Sequence, residues 1–155
     1  MSIEKDIKQK SFKNVYQKVA VNLMYTDSWL LNHYTQLLKP YNLSDKQYFV
    51  LKILCESHPD TVSVNFILER MLDKMSNASR LVDKLIEKKL VVKVRSKIDK
   101  RSMNVAITPK GLLLVDELNK KVALWEANYS RLTKEEIKIL HNLLNKMRDS
   151  VSKRF

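Results

Sequence analysis

Apolar residues recur along this chain with two different periods. From about Ser11 to Leu38, the residues Phe12, Tyr16, Val19, Leu23, Leu30, Tyr34 and Leu37 step by three and four, with Thr26 as the polar interruption. That spacing predicts one long amphipathic helix, ended by Pro40. A second helix is expected from Ser44 or Asp45 to about Glu56, carrying Tyr48, Phe49, Leu51, Ile53 and Leu54. A shorter third spans Val64 to about Met71, capped by Ser63, and carries Phe66, Ile67, Leu68 and Met71. In the fourth, Ala78, Leu81, Val82, Leu85 and Ile86 form an apolar face opposite Asn77, Arg80, Asp83, Lys84, Glu87 and Lys88. Either Asp73 or Ser76 can cap it, since both carry the short side-chain oxygen that free N–H groups need. The third and fourth helices, a few residues apart, make a helix-turn-helix.

After Leu90 the period falls to two. Val92 and Val94 alternate with Lys93 and Arg95, then Met103, Val105 and Ile107 with Asn104 and Ala106, which predicts a hairpin with one face on the core. Its tip, Ser96 to Ser102, holds no glycine and no tight-turn pair, so a long loop is expected. Thr108 then caps a further helix with Pro109 in its first turn, marked by Leu114, Leu118, Val122, Trp125 and Tyr129. Thr133 and Glu136 form the capping-box pattern before a last helix, in which Ile137, Leu140, Leu144, Met147 and Val151 step without a break. The two long apolar seams near the ends predict either a dimer built from the termini or packing of those helices within one chain.

Composition narrows the class. At 155 residues and 45% hydrophobic content the chain suits one globular domain with helical extensions. A single glycine and three prolines leave no room for a glycine-rich phosphate loop or flexible linkers. No run approaches the roughly 18 apolar residues of a membrane span, and the first residues lack the apolar core of a secretion signal, so a cytoplasmic location is expected. One cysteine, Cys55, excludes an internal disulfide.

Charge points to a partner. Between Arg70 and Lys110 stand twelve Lys and Arg against four acids, a net of +8 from the chain's +12. Positive charge so concentrated calls for an anion, and double-stranded DNA is the anion that a helix beside a basic ribbon fits.

The segment Met75-Ser76-Asn77-Ala78-Ser79-Arg80-Leu81-Val82-Asp83-Lys84-Leu85, with Leu90-Val91-Val92, Asp99-Lys100-Arg101 and Ile107-Thr108-Pro109-Lys110-Gly111 at their spacing, resembles the MarR family of bacterial transcriptional regulators. The resemblance implies a predominantly α fold with a small β-wing. A winged helix-turn-helix DNA-binding lobe (45–111) is joined there to a helical dimerisation region from both termini (11–38 and 112–155). It also implies a homodimer that binds a palindromic operator, with each recognition helix in a major groove and each wing over a minor groove. Carried over residue by residue, Ser76, Asn77, Ser79 and Arg80 face the bases and Lys84 the phosphates. Arg101 enters the minor groove, steadied by Asp99, and Lys74, Lys97 and Lys100 complete the DNA-facing set. The chain departs from the family at Lys89, where a glycine is common, so the helix has to end without the residue that turns left-handed most easily. Small aromatic effectors bind such proteins between the dimerisation helices and the DNA-binding lobe. Trp29, His33, Tyr34, Tyr48 and Trp125 are the aromatic candidates here, although aromatics at helical spacing commonly build core.

Other chemistries find little support. His33, His58 and His141 lie far apart, so no metal site and no cofactor are expected. Cys55 sits among Ile53 and Leu54 and reads as a small buried hydrophobe rather than a redox sensor. Nothing resembles a nucleophile elbow or a catalytic carboxylate pair, so the chain is expected not to be an enzyme. The rival from another class is a winged-helix module that binds a protein partner. An RNA role is disfavoured because the hairpin lacks an exposed aromatic platform.

Overall fold

The computed structural model describes residues 2–95, 101–128 and 131–151, in two compact units, Met1–Lys121 and Val122–Phe155. A short helix, α1 (Ile3–Asp6), precedes the long α2 (Val15–Leu38). Asn14 closes the first turn of α2, its Oδ1 accepting the Gln17 N–H at 2.9 Å, so the helix starts later than the periodicity predicts and Phe12 lies ahead of it. Only Leu38 of its 24 residues is buried. Val15, Tyr16, Val19, Met24 and Tyr25 stay exposed, so much of the helix's apolar surface is uncovered. Pro40 sits in a 3-10 turn, Lys39–Tyr41, that ends the run as expected.

The α3 helix (Asp45–Ser57) begins at Ser44, which settles the choice between two caps. Ser44 Oγ accepts the Gln47 N–H and Gln47 Oε1 accepts the Ser44 N–H, both at 3.2 Å, a full capping box. Its Tyr48, Val50, Leu51, Ile53 and Leu54 form the centre of the core. Ser63 caps α4 (Val64–Arg70) through the Phe66 N–H. The recognition-type helix α5 (Ala78–Glu87) buries Ala78, Val82 and Leu85, as the apolar stripe predicts. It ends in a Schellman turn: the Lys89 N–H donates to Ile86 C=O at 2.8 Å and the Leu90 N–H to Leu85 C=O at 3.0 Å. Lys89 takes the left-handed conformation that a glycine would adopt freely, with φ 59°. Leu90 follows it into the core, beside Leu85 in the motif's usual apolar pairing.

The hairpin pairs β1 (Val91–Arg95) with β2 (Met103–Ile107) antiparallel, matching Val91 to Ile107, Lys93 to Val105 and Arg95 to Met103. The start of β1 departs from the predicted alternation. Val91, opposite the buried Ile107, is fully buried while Val92 is 43% exposed; beyond them Val94 is half-buried and Lys93 and Arg95 are exposed. A shift of one residue exchanges the faces of a strand, and the Val91-Val92 doublet allows either choice. The turn at Lys89, which delivers Leu90 and Val91 together to the core, accompanies the observed one. Val62 also bridges to the other edge of β2, its N–H reaching Val105 C=O at 3.1 Å.

Thr108 Oγ1 accepts the Gly111 N–H at 3.1 Å to start α6 (Pro109–Asn128). Gly111 is the only glycine, and packing requires it there: a Cβ would stand 2.4 Å from the Leu90 carbonyl oxygen and 2.7 Å from Ile107 Cγ1. In α7 (Lys134–Val151) the predicted capping box forms, with the Thr133 N–H on Glu136 Oε2 at 2.8 Å and the Glu136 N–H on Thr133 Oγ1 at 3.2 Å. Ile137, Leu140 and Met147 of its seam are exposed.

Candidate nucleic-acid interface

The turn before α5 is organised by one carboxylate. Asp73 accepts from Lys46 Nζ at 2.6 Å, from the Met75 N–H at 2.9 Å and from the Ser76 hydroxyl at 3.1 Å. These donors, Lys46 first, hold the Asp73 carboxyl below the usual carboxylate range, and Asp73 in turn raises the Lys46 ammonium. Both side chains remain nearly half exposed, so the pair acts through geometry more than through energy. With Asp73 engaged, neither it nor Ser76 caps the helix. Asn77 does, its Oδ1 accepting the Arg80 N–H at 3.0 Å. The amide keeps its Nδ2 donors and a second Oδ1 lone pair.

Ser76, expected to face the bases, is instead 9% exposed with its hydroxyl on Asp73, so its part is to build the turn. Asn77, Ser79, Arg80 and Lys84 stand exposed on the opposite side of α5 from its buried stripe. Lys74 is exposed and donates to the Glu69 carbonyl, which fastens the turn to α4. Lys88 turns away from this face. Its ammonium donates to Gln47 Oε1 at 2.9 Å and to the Asn42 carbonyl, and partial burial lowers its pKa.

Helix and wing are linked by an ion pair that no local sequence pattern reveals. Lys93 Nζ meets Asp83 Oδ1 at 2.7 Å, tying β1 to the middle of α5. The signal was available only as two opposite charges ten residues apart across a helix and a strand. Arg101 is exposed at the start of the returning strand segment. Lys97, Asp99 and Lys100 lie outside the described residues, and so does the expected pairing of Asp99 with Arg101.

The Trp29 and His33 rings on α2 lie 4.6 Å apart between centroids, tilted by 55°, while Tyr34 lies 6.4 Å from Tyr48 and 6.0 Å from Phe49. Tyr48 is a core residue, 1% exposed, with its hydroxyl donating to Asn119 Oδ1 at 2.8 Å. Trp125 belongs to the second unit. Two open clefts occur in the first unit. One, of about 510 Å³, lies beside Lys39, Gln47, Lys84 and Lys88, and the other, of about 360 Å³, beside Asp27, Phe49, Met71 and Asp73. Trp29, His33, Tyr34 and Tyr48 line neither. Cys55 is half-buried and carries no disulfide, so it is less enclosed than expected. Among the described residues no three His, Cys, Asp or Glu side chains are placed to hold a metal, and no helix is long and apolar enough to cross a membrane.

A helix-turn-helix whose second helix is followed by an antiparallel wing, inside a mostly helical chain, defines a winged helix-turn-helix fold. The chain belongs to the SarA/Rot family of transcriptional regulators, whose family model it matches over residues 32–118. It is 27% identical over 135 residues to the HTH-type transcriptional regulator MgrA of Staphylococcus aureus, covering 86% of this chain and 90% of that one. Its fold is similar to that of a putative MarR-like transcription regulator from Bacillus cereus, with a TM-score of 0.76 at 22% identity over 87% of this chain and 96% of the other. The S. aureus MepR–DNA complex gives the same TM-score, 0.76, at 21% identity, with 89% and 99% covered.

Proposed function

We propose that this chain is a sequence-specific DNA-binding repressor that acts as a homodimer on a palindromic operator in the cytoplasm, and that it is not an enzyme. The observation that carries the reading is α5 itself. One side of it is buried through Ala78, Val82 and Leu85, while Asn77, Ser79, Arg80 and Lys84 face solvent on the other, pinned to a basic wing by Asp83 and Lys93. In this reading Asn77 and Arg80 read base edges, adenine and guanine being their natural partners. Ser79, Lys84, Lys74 and the wing residues Lys97 and Lys100 hold the backbone, and Arg101, supported by Asp99, reaches the minor groove. MepR, of similar fold, was solved bound to DNA.

The lobe 45–111 carries this surface, and 11–38 with 112–155 make the dimer. The exposed apolar residues of α2 and of α7 support that assignment, because faces of this size usually mark an interface. A small aromatic effector that changes the separation of the two recognition helices would release the DNA, with Trp29, His33, Tyr34 and Trp125 as its candidate contacts. Mobility-shift titrations across salt test the core of the proposal. Affinity should fall steeply with salt, operator should exceed random duplex by at least about 10³-fold, and Arg101→Ala should weaken operator binding. Equal affinity for operator and random duplex would overturn it and favour a protein-interaction module.

A further inference from the structure

The residue with the most exposed large apolar side chain among the described residues stands three positions before the first residue of the recognition helix. Met75 is 92% exposed, while the next residue, Ser76, is 9% exposed and turned inward. The Met75 backbone is held, since its N–H donates to Asp73 Oδ1 at 2.9 Å, and Asp73 is itself fixed by Lys46. Two residues on, Asn77 caps α5 and is exposed. The chain thus approaches α5 with Ser76 inward and with Met75 and Asn77 outward; from Lys74 to Arg80 the other exposed residues, Lys74, Ser79 and Arg80, are polar or basic, and the nearest exposed apolar neighbour is Leu72 ahead of Asp73.

A free thioether at that place has a surface cost in water and makes no hydrogen bond of consequence. Of the groups that DNA displays in the major groove, only one is apolar: the 5-methyl of thymine. Methionine is unbranched and flexible, which suits contact with a methyl group whose position varies with local base-pair geometry. We infer that Met75 is a specificity residue that packs on a thymine methyl at the edge of each half-site, next to the bases read by Asn77 and Arg80. The inference rests on the reading of α5 as the helix that enters the major groove.

The test uses the full-length protein and the tightest duplex it selects from a random-sequence pool. That duplex is made with thymine throughout and, in a series, with deoxyuridine at one thymine position at a time, which removes only the methyl. The unaltered protein should lose about fourfold in affinity at one or two positions per half-site, the worth of one buried methyl. Met75→Ala should bind the thymine duplex about fourfold more weakly and be indifferent to uracil at those positions, with an unchanged salt slope. Met75→Leu, which keeps an apolar side chain, should restore most of the discrimination. Met75 is so exposed that these variants should fold, and an unaltered circular dichroism spectrum would verify that. Uracil tolerated everywhere by the unaltered protein, or the same discrimination in Met75→Ala, would overturn the inference while leaving sequence-specific binding intact. A protein with no preference among duplexes would overturn the reading of α5 as well, so the two failures are distinguishable.

Discussion

Replacing Lys89 with glycine should stabilise the protein. Lys89 ends α5 at φ 59°, where its Cβ crowds the following carbonyl at a cost of about 1–2 kcal/mol. Glycine removes that strain and keeps both backbone bonds of the turn, Lys89 N–H to Ile86 C=O and Leu90 N–H to Leu85 C=O. It also loosens the unfolded chain, which takes back about 0.4–1 kcal/mol. The net gain is therefore roughly 0.5–1 kcal/mol, and for a chain of this size that raises Tm by about 1–4 °C. Thermal and urea unfolding at one fixed protein concentration would measure it, because dimerisation makes Tm depend on concentration. Lys88→Gly is the control. Lys88 has φ −81°, so glycine gains nothing there, and the ammonium's bonds to Gln47 and Asn42 are lost. A lower midpoint for Lys89→Gly, or equal shifts for the two variants, would refute the argument from left-handed strain.

Other positions give separable outcomes. Gly111→Ala should destabilise by about 1–3 kcal/mol, because the added Cβ meets a backbone carbonyl that cannot step aside, and chemical denaturation would register it. Asn77→Ala should cost about 1 kcal/mol of stability through the lost cap and should also relax sequence preference in binding assays, whereas Lys84→Ala should leave stability alone and flatten the salt slope of binding. Equal effects of these two on preference and slope would defeat the division between base and phosphate contacts. Asp73 has a carboxyl held below its ordinary pKa, so its contribution is present above the ordinary value and is lost as pH falls through the lowered one. Acid titration followed by near-ultraviolet circular dichroism should therefore show a transition in the carboxylate range that is diminished in Asp73→Asn.

Much of this architecture is legible in the residue pattern because each element carries its own local signal. Ser63 and Thr108, and Thr133 with Glu136, start helices where short oxygen-bearing side chains precede an apolar run, and those signals need no tertiary information. The harder cases depend on distant partners. Asp73, Ser76 and Asn77 all carry capping oxygens within five residues, and the outcome involves Lys46, 27 positions earlier, which engages Asp73. Val91 and Val92 are equally apolar, and their unequal burial goes with the turn at Lys89 and the pairing of Val91 with Ile107. Lys93 meets Asp83 only once strand and helix are packed. Tyr48 illustrates the same limit, since its ring was offered to a pocket but its hydroxyl is used by Asn119, 71 residues away.

The central claim is that two copies of this chain present two α5 helices to one stretch of duplex. Sequencing the duplexes that the purified protein selects from a random pool tests it most directly. A dimer with two-fold symmetry predicts enrichment of a near-palindrome whose half-sites are centred about one helical turn, roughly 34 Å, apart. Enrichment of a single unpaired half-site would contradict the dimeric arrangement, and recovery of no enriched sequence would contradict sequence-specific DNA binding altogether.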